Sequence, residues 1–241
     1  MNSTSAIKKS AGLSLEIQSR LSEVDRYNAW LFAQFRPYIG NRVLDVGCAI
    51  GNITQYLLDR EFVCAIDVVE EFTTEIRKRF ADKPNLKVAL FDIADPNVTS
   101  LASEVIDTIV SVNVLEHVQD DSVALDNMNR ILVPGGKLLL LVPALQFLYG
   151  TMDAADNHYR RYNKRVLMQR VDAAGFTVAR MYYMNLVGIA GWILNGKILR
   201  TDIVSTSHFS LYNKLVPIIA KLESCIHPPV GLSLVCIATK R

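Results

Sequence analysis

The sequence predicts an α/β fold in which a mostly parallel sheet carries helices on both faces. Short apolar runs alternate with segments of helical period, the pattern left by strands joined through crossover helices. The run Arg42–Val46 passes directly into a small-residue turn, Gly47-Cys48-Ala49-Ile50-Gly51, and then into a further apolar-periodic stretch. The chain has 241 residues, 50% of them hydrophobic, which is enough to bury a complete core.

In chain order, a helix is expected over Ser14–Arg36, closed by Pro37 and Gly40. Strand Arg42–Val46, helix Asn52–Asp59, strand Phe62–Ile66 and helix Glu70–Phe80 follow. After the turn at Asp82 to Asn85 come strand Leu86–Leu90, strand Val105–Val112, helix Ser122–Leu132, a tight turn at Pro134-Gly135-Gly136 and strand Lys137–Val142. Gln146 to Tyr162 reads as a polar-aromatic loop, Lys164–Ala174 as a helix stopped by Gly175, and Phe176–Tyr183 and Leu232–Ala238 as strands. Between these last two lie apolar-faced helices, Leu186–Leu199 and Ser210–Ile226. Residues 1–13 are polar and small and read as a mobile tail. Residues 14–241 read as one domain, with 185–230 an apolar helical insertion.

Bulk properties exclude several function classes. A net charge of +2 with no long Lys/Arg run lacks the basic footprint of a dedicated nucleic-acid binder. No Asn/Asp-Pro-Pro-Tyr/Phe segment of the kind that serves base methylation is present. Lys8-Lys9 is followed by no signal-like apolar stretch. Cys48, Cys64, Cys225 and Cys236 show no Cys-x-x-Cys spacing, and three of them fall in apolar strand-like runs. A cytoplasmic protein without zinc or disulfides is expected.

Arg42 to Thr54 is the informative segment. Glycines at a strand-to-helix turn let the backbone approach a ligand at the carboxyl end of the sheet. A dinucleotide site uses Gly-x-Gly-x-x-Gly and places pyrophosphate on a helix N-terminus. Here the spacing is Gly47-x-x-x-Gly51, and Asp45 stands just ahead of it. A carboxylate there repels pyrophosphate and attracts an ammonium. S-adenosylmethionine carries an ammonium and a sulfonium and no phosphate, so charge favours it.

This segment resembles the first motif of class I S-adenosylmethionine-dependent methyltransferases, usually Asp/Glu-x-Gly-x-Gly-x-Gly, with Ala49 in place of the middle glycine. Asp67 after the second strand, Asp92-Ile93 after the third, Ser111 to Val118 after the fourth and Leu132 to Leu138 before the fifth match the same family in order. The resemblance implies a Rossmann-like seven-stranded sheet with the last strand inserted antiparallel. It assigns Asp45, Gly47, Cys48, Ala49, Gly51, Asp67, Val68, Asp92, Ile93 and Asn113 to the donor, with S-adenosylhomocysteine as product. Val142 to Phe176 resembles small bacterial methyltransferases associated with glycan or natural-product assembly.

Methyl transfer needs alignment, desolvation and sometimes a base. His158, in Asp156-Asn157-His158-Tyr159-Arg160-Arg161-Tyr162, and His117, after the fourth strand, are the candidate bases. Tyr27, Trp30, Tyr159, Arg160, Tyr162 and Trp192 are the candidate acceptor contacts. Ubiquinone-pathway O-methyltransferases carry a metal-holding Glu-x-x-Glu-His segment at this point. Asn113 occupies its first position, so no metal is expected. The apolar stretch within Met181 to Leu199 is too short to span a membrane. The 185–230 region is open to three readings: a cap over an apolar acceptor pocket, a homodimer surface in place of a monomer, or a peripheral membrane patch. The expected function is methyl transfer to an oxygen or nitrogen of a small, partly apolar acceptor in specialised-metabolite biosynthesis. A glycan or lipid-linked acceptor, a nucleotide-dependent oxidoreductase and a non-catalytic partner domain are the alternatives.

Overall fold

The computed structural model describes residues 24–199, 201 and 206–241. The tail assigned to residues 1–13, and the first part of the helix expected from Ser14, lie outside the described residues. Seven strands form one sheet: β1 Arg42–Val46, β2 Phe62–Asp67, β3 Leu86–Leu90, β4 Ile106–Val112, β5 Leu132–Pro143, β6 Phe176–Met184 and β7 Ser233–Lys240. Their order across the sheet is β3-β2-β1-β4-β5-β7-β6. Strands β3 to β5 pair in parallel, while β7 runs antiparallel to both neighbours, with Leu140 opposite Cys236 and Met181 opposite Cys236 on the other side.

Alternation along the strands sends side chains to two core layers. Leu44, Val46, Ile109, Leu138 and Leu140 face one layer, covered by α3 (Asp121–Ile131) and α5 (Lys164–Ala173). Val43, Val110, Leu139 and Leu141 face the other, covered by α1 (Asp25–Ala33) and α7 (Thr206–Ile226). Helix α2 (Glu70–Arg79) buries Phe72 and Ile76 beside β2 and β3. All seven expected strands are present, with ends shifted by a residue or two except at β5, which begins five residues before the expected Lys137. Pro134-Gly135-Gly136 lies inside β5 as assigned, where the pairing with β4 is irregular and Gly135 has φ 75°.

Three local expectations are corrected. The helix expected over Asn52–Asp59 is a series of tight turns with one 3-10 segment, Thr54–Tyr56. Its bonds run three residues back, from Tyr56 to Ile53 and from Leu57 to Thr54, while the Thr54 hydroxyl is drawn to Asp45 at 2.7 Å. The loop from Gln146 contains a short helix, α4 (Thr151–Ala155), held by the Asp153 carboxylate on the Gly150 N–H. Among the cysteines, only Cys64 and Cys236 lie on strands. Cys48 follows β1, and Cys225 is exposed on α7.

The segment between β6 and β7 folds as α6 (Leu186–Trp192), which continues as a π-helical stretch Ile193–Ile198, and α7. Asn185, at φ 65°, caps α6 by accepting from the Gly188 N–H at 2.8 Å. The buried Glu223 carboxylate of α7 accepts from the backbone N–H groups of Asn185 and Leu186, each at 2.7 Å, and Tyr212 donates to Asn185 at 2.6 Å. One carboxylate therefore joins both helices to the end of β6. Removing it leaves buried amides unpaired, so Glu223→Ala should lower stability by about 2–4 kcal/mol. Urea denaturation reads this as an earlier midpoint, and an unchanged midpoint would show that packing alone seats the helices.

Candidate active site

The turn after β1 is built from residues in the left-handed region: Gly47 at φ 70°, Ala49 at 46° and Gly51 at 89°. A side chain at Gly47 would collide with Val114, and one at Gly51 would lie 2.7 Å from the Phe80 ring. The N–H groups of Gly47 and Cys48 both reach Ile66 O, and that of Ala49 donates to Asp67 Oδ2 at 2.9 Å. This places the loop and the ends of β1 and β2 at one sheet edge. Asp92 stands at the same edge after β3. It is exposed and accepts from the Ala94 N–H at 2.8 Å.

Asp45 and Asp67 are buried at this edge. Burial pushes Asp45 up to about 7, against the Thr54 hydrogen bond and with a contribution from the charge of Asp67. Burial also raises Asp67, against hydrogen bonds from the Val69 and Ala49 backbone. Among the described residues no Lys, Arg or His pairs with either acid. Two buried carboxylates without a cation, beside a turn open to close approach, fit a ligand bearing an ammonium.

A cavity of about 560 Å³ opens from this turn. Asp45, Gly47, Cys48, Ala49 and Asn113 line one end. Glu116, His117, Asp156, His158 and Arg161 line another part, and Tyr27, Trp192, Leu211, Tyr212 and Leu215 contribute apolar wall. Asp67, Val68, Asp92, Ile93 and Gly51 lie outside this cavity. Val68 is exposed and Ile93 is packed in the core.

The polar cluster is organised by Asp153, which is fully buried and accepts from His158 Nδ1 at 2.9 Å and Arg161 Nε at 2.7 Å. Burial opposes the charge on His158, but its bonds to Asp153 and Asp156 and the nearby Glu116 raise it to about 9. His117 meets the His158 ring edge-on at 4.6 Å between centroids, and burial together with that positive neighbour lowers it. Glu116 is fully buried, and neither carboxylate oxygen has a hydrogen-bond partner among the described residues. Burial raises it to about 7, offset in part by the positive charge of His158. Ligand atoms of Glu116, His117 and His158 lie within 4.8 Å of one another, close enough to share one cation.

Several acceptor assignments need correction. Both ring nitrogens of His158 face carboxylates, Nδ1 at 2.9 Å from Asp153 and Nε2 at 3.4 Å from Asp156, an arrangement that favours the protonated ring over a free base. Tyr162 is buried away from the cavity, donating to Asp121 at 2.9 Å and Leu115 O at 3.2 Å. Arg160 reaches outward to Gln119 O and Asp121, and Tyr159 is exposed beside it. Trp30 packs into the core because the helical phase of α1 turns Tyr27, Asn28 and Leu31 toward the cavity instead. Trp192 does line the cavity and lies 4.4 Å from the Arg161 guanidinium, a stacked cation. Asp153 and Tyr212 are residues that sequence reasoning missed, while Glu116 and Arg161 stood in the segments it singled out without being assigned a place in the site.

A family model described as a methyltransferase domain matches residues 17–180. The chain belongs to the methyltransferase-domain family. The methyltransferase is 31% identical over 106 residues to the ubiquinone/menaquinone biosynthesis C-methyltransferase of Teredinibacter turnerae, covering 42% of this chain and 43% of the relative. It is 29% identical over 100 residues to a ubiquinone biosynthesis O-methyltransferase of Coxiella burnetii, covering 41% and 42%. The match thus spans less than half the length of these curated relatives.

Among solved structures, an S-adenosylmethionine dependent methyltransferase from Mesorhizobium loti superposes with a TM-score of 0.58 at 12% identity, over 86% of this chain and 96% of that one. Phosphoethanolamine N-methyltransferase 2 of Haemonchus contortus, in complex with S-adenosylmethionine, superposes at 0.57 with 20% identity, over 89% and 52%. At these identities the likeness concerns the fold. Two of these neighbours are S-adenosylmethionine methyltransferases by name, and in this chain the uncompensated Asp45 on the cavity wall suits a cationic ligand.

An ammonium beside Asp45 favours its ionised form, so donor binding should release a proton near pH 7. S-adenosylmethionine affinity, followed by calorimetry, should fall by up to about tenfold per pH unit below about 7, where free Asp45 is protonated. Asp45→Asn should bind weakly and without that dependence. Equal pH dependence in both proteins would move the titrating group elsewhere.

Proposed function

We propose that this methyltransferase moves the methyl group of S-adenosylmethionine to an oxygen or nitrogen of a small, partly apolar acceptor, with Glu116 taking the proton. One observation carries the reading: the Gly47 to Ala49 turn and the buried Glu116 carboxylate open into the same cavity, whose remaining walls are largely apolar. When bound, the donor supplies an electrophilic methyl on a sulfonium.

The chain's own groups supply the rest. Asp45, Gly47, Ala49 and Asn113 hold the donor at the β1 and β4 edge, with Asp67 and Asp92 on its nucleoside side. Glu116, near 7, matches the operating pH expected of a general base. His158 stays cationic, steadies the carboxylate and keeps His117 neutral as a hydrogen-bonding partner for the acceptor. Tyr27, Trp192 and Tyr212 exclude water and hold the acceptor's apolar body. A specialised metabolite, or a lipid-linked intermediate, has the required combination of apolar body and transferable proton.

The test begins with calorimetry against S-adenosylmethionine and its demethylated product, with a nicotinamide dinucleotide as control. Binding of the first two alone supports the donor assignment and justifies an acceptor screen weighted to apolar hydroxyl and amine compounds. With an acceptor in hand, Glu116→Gln should lower kcat about 10²- to 10⁴-fold while donor Kd stays within a factor of two or so. The wild-type kcat should rise with pH through about 7 as Glu116 ionises and fall through about 9 as His158 loses its charge. The rise should vanish in Glu116→Gln. Asp67→Ala should instead weaken donor binding by about tenfold or more. A kcat indifferent to Glu116→Gln would remove this residue from the chemistry.

A further inference from the structure

On α7 the residues Leu211, Leu215, Ile218, Leu222 and Ile226 recur at spacings of four, three, four and four, which places them on one side of the helix. All five are exposed, by 43 to 61%. The adjoining side, about a quarter turn round the helix, is buried through Val216, Ile219 and Glu223. An amphipathic helix ordinarily turns its apolar stripe inward, whereas α7 presents a second one to solvent. The stripe is continuous with the cavity, because Leu211 and Leu215 are both exposed and part of its wall. At the end of α6, Ile198 and Leu199 extend the apolar surface, 66% and 54% exposed.

The exposed charges on the described residues of these two helices and the stretch that continues α6 have one sign, and the exposed acid Asp25 lies on α1 against Asn213. Lys197, Lys214 and Lys221 are exposed, while Glu223, the only acid among the described residues of α6 and α7, is turned inward to the Asn185 and Leu186 amides. We propose that the α6–α7 face docks on an anionic lipid bilayer, with α7 lying in the interface. An exposed aliphatic stripe flanked by lysines is the composition that such binding requires, the stems lying along the apolar surface and the ammonium groups reaching the headgroups. A second copy is a poorer occupant, since two-fold apposition sets Lys214 and Lys221 against like charges with no exposed acid on either helix to answer them. Residues 1–23, with Lys8, Lys9 and Arg20 against Glu16 and Glu23, carry no acidic excess either. Among the described residues no helix is long and apolar enough to cross a membrane, so the contact is peripheral. In this pose the cavity opens toward the bilayer, and an acceptor with a lipid body enters without crossing water.

Co-sedimentation of the full chain with vesicles tests this without reference to methyl transfer, so its failure leaves the proposed function standing. Binding should be weak to phosphatidylcholine alone, should rise when phosphatidylglycerol is added and should weaken with salt. The double variant I218E/L222E should lose about tenfold or more of the binding. K214Q and K221Q should each lose about fivefold on the anionic vesicles only. Unchanged thermal melting and donor binding in these variants would show that they remain folded. Sedimentation of I218E/L222E equal to wild type would overturn the proposal. So would a wild-type dimer, seen by analytical ultracentrifugation, that I218E/L222E converts to monomer. Failure of the full chain to bind either vesicle would also overturn it, as expected if residues 1–23 cover the stripe.

Discussion

The polar cluster on the cavity wall depends on one buried anion. Asp153 has no exposure to solvent, yet it accepts from the Gly150 amide, His158 and Arg161. Burial alone would drive its proton on, but these partners hold its carboxyl below the usual range. Two cations are thereby fixed beside the cavity in place of flexible surface charges. Arg161 is further held between Ala144 O and the Trp192 ring. Removing Asp153 would leave buried cations without an answering charge, a costlier outcome than the loss of a surface pair.

From that anion the protonation pattern follows in sequence. His158 is charged because Asp153 and Asp156 hold it. Its charge and the shared burial keep His117 neutral, and the same charge restrains but does not cancel the upward push on Glu116. One histidine therefore carries a charge, the other is neutral, and the carboxyl beside them titrates near neutrality. Across the cavity the arrangement is the reverse. Asp45 on the cavity wall has no cation paired with it among the described residues, and the charge of Asp67 behind it adds to the upward push on its proton. The two parts of the cavity are thus distinguished by which one already contains its counter-charges.

Much of the fold was legible because it depends on local rules. Alternation in Val43-Leu44 and in Leu138 to Val142 defines two-faced strands, and Gly47 and Gly51 mark the turn where φ is positive. The acceptor end was less legible because burial there comes from contacts distant in sequence. Glu116 looks like an ordinary loop acid, and it is the return of the 146–162 segment, with the Tyr159 amide on Glu116 O, that encloses it. Trp30 and Tyr27 differ in role only through the rotation of α1 against α7, which no spacing on α1 alone reveals. The acid at position 223 looks like one more charge on an amphipathic helix. Its two amide partners are nearly forty residues earlier in the chain.

Ala49 shows how a departure from a family pattern is accommodated. The turn demands a left-handed residue there, and alanine adopts φ 46°, at a cost of about 1–2 kcal/mol relative to glycine. What holds it is the same hydrogen bond that orients the site: its N–H donates to Asp67 Oδ2, while the other Asp67 oxygen takes the Val69 amide. The strained residue thus ties the loop after β1 to the acid after β2. Its methyl group lies at the cavity wall, 8% exposed, and does not fill it. Ala49 thus adopts the left-handed conformation that the turn requires, and its side chain adds a single carbon to the cavity wall.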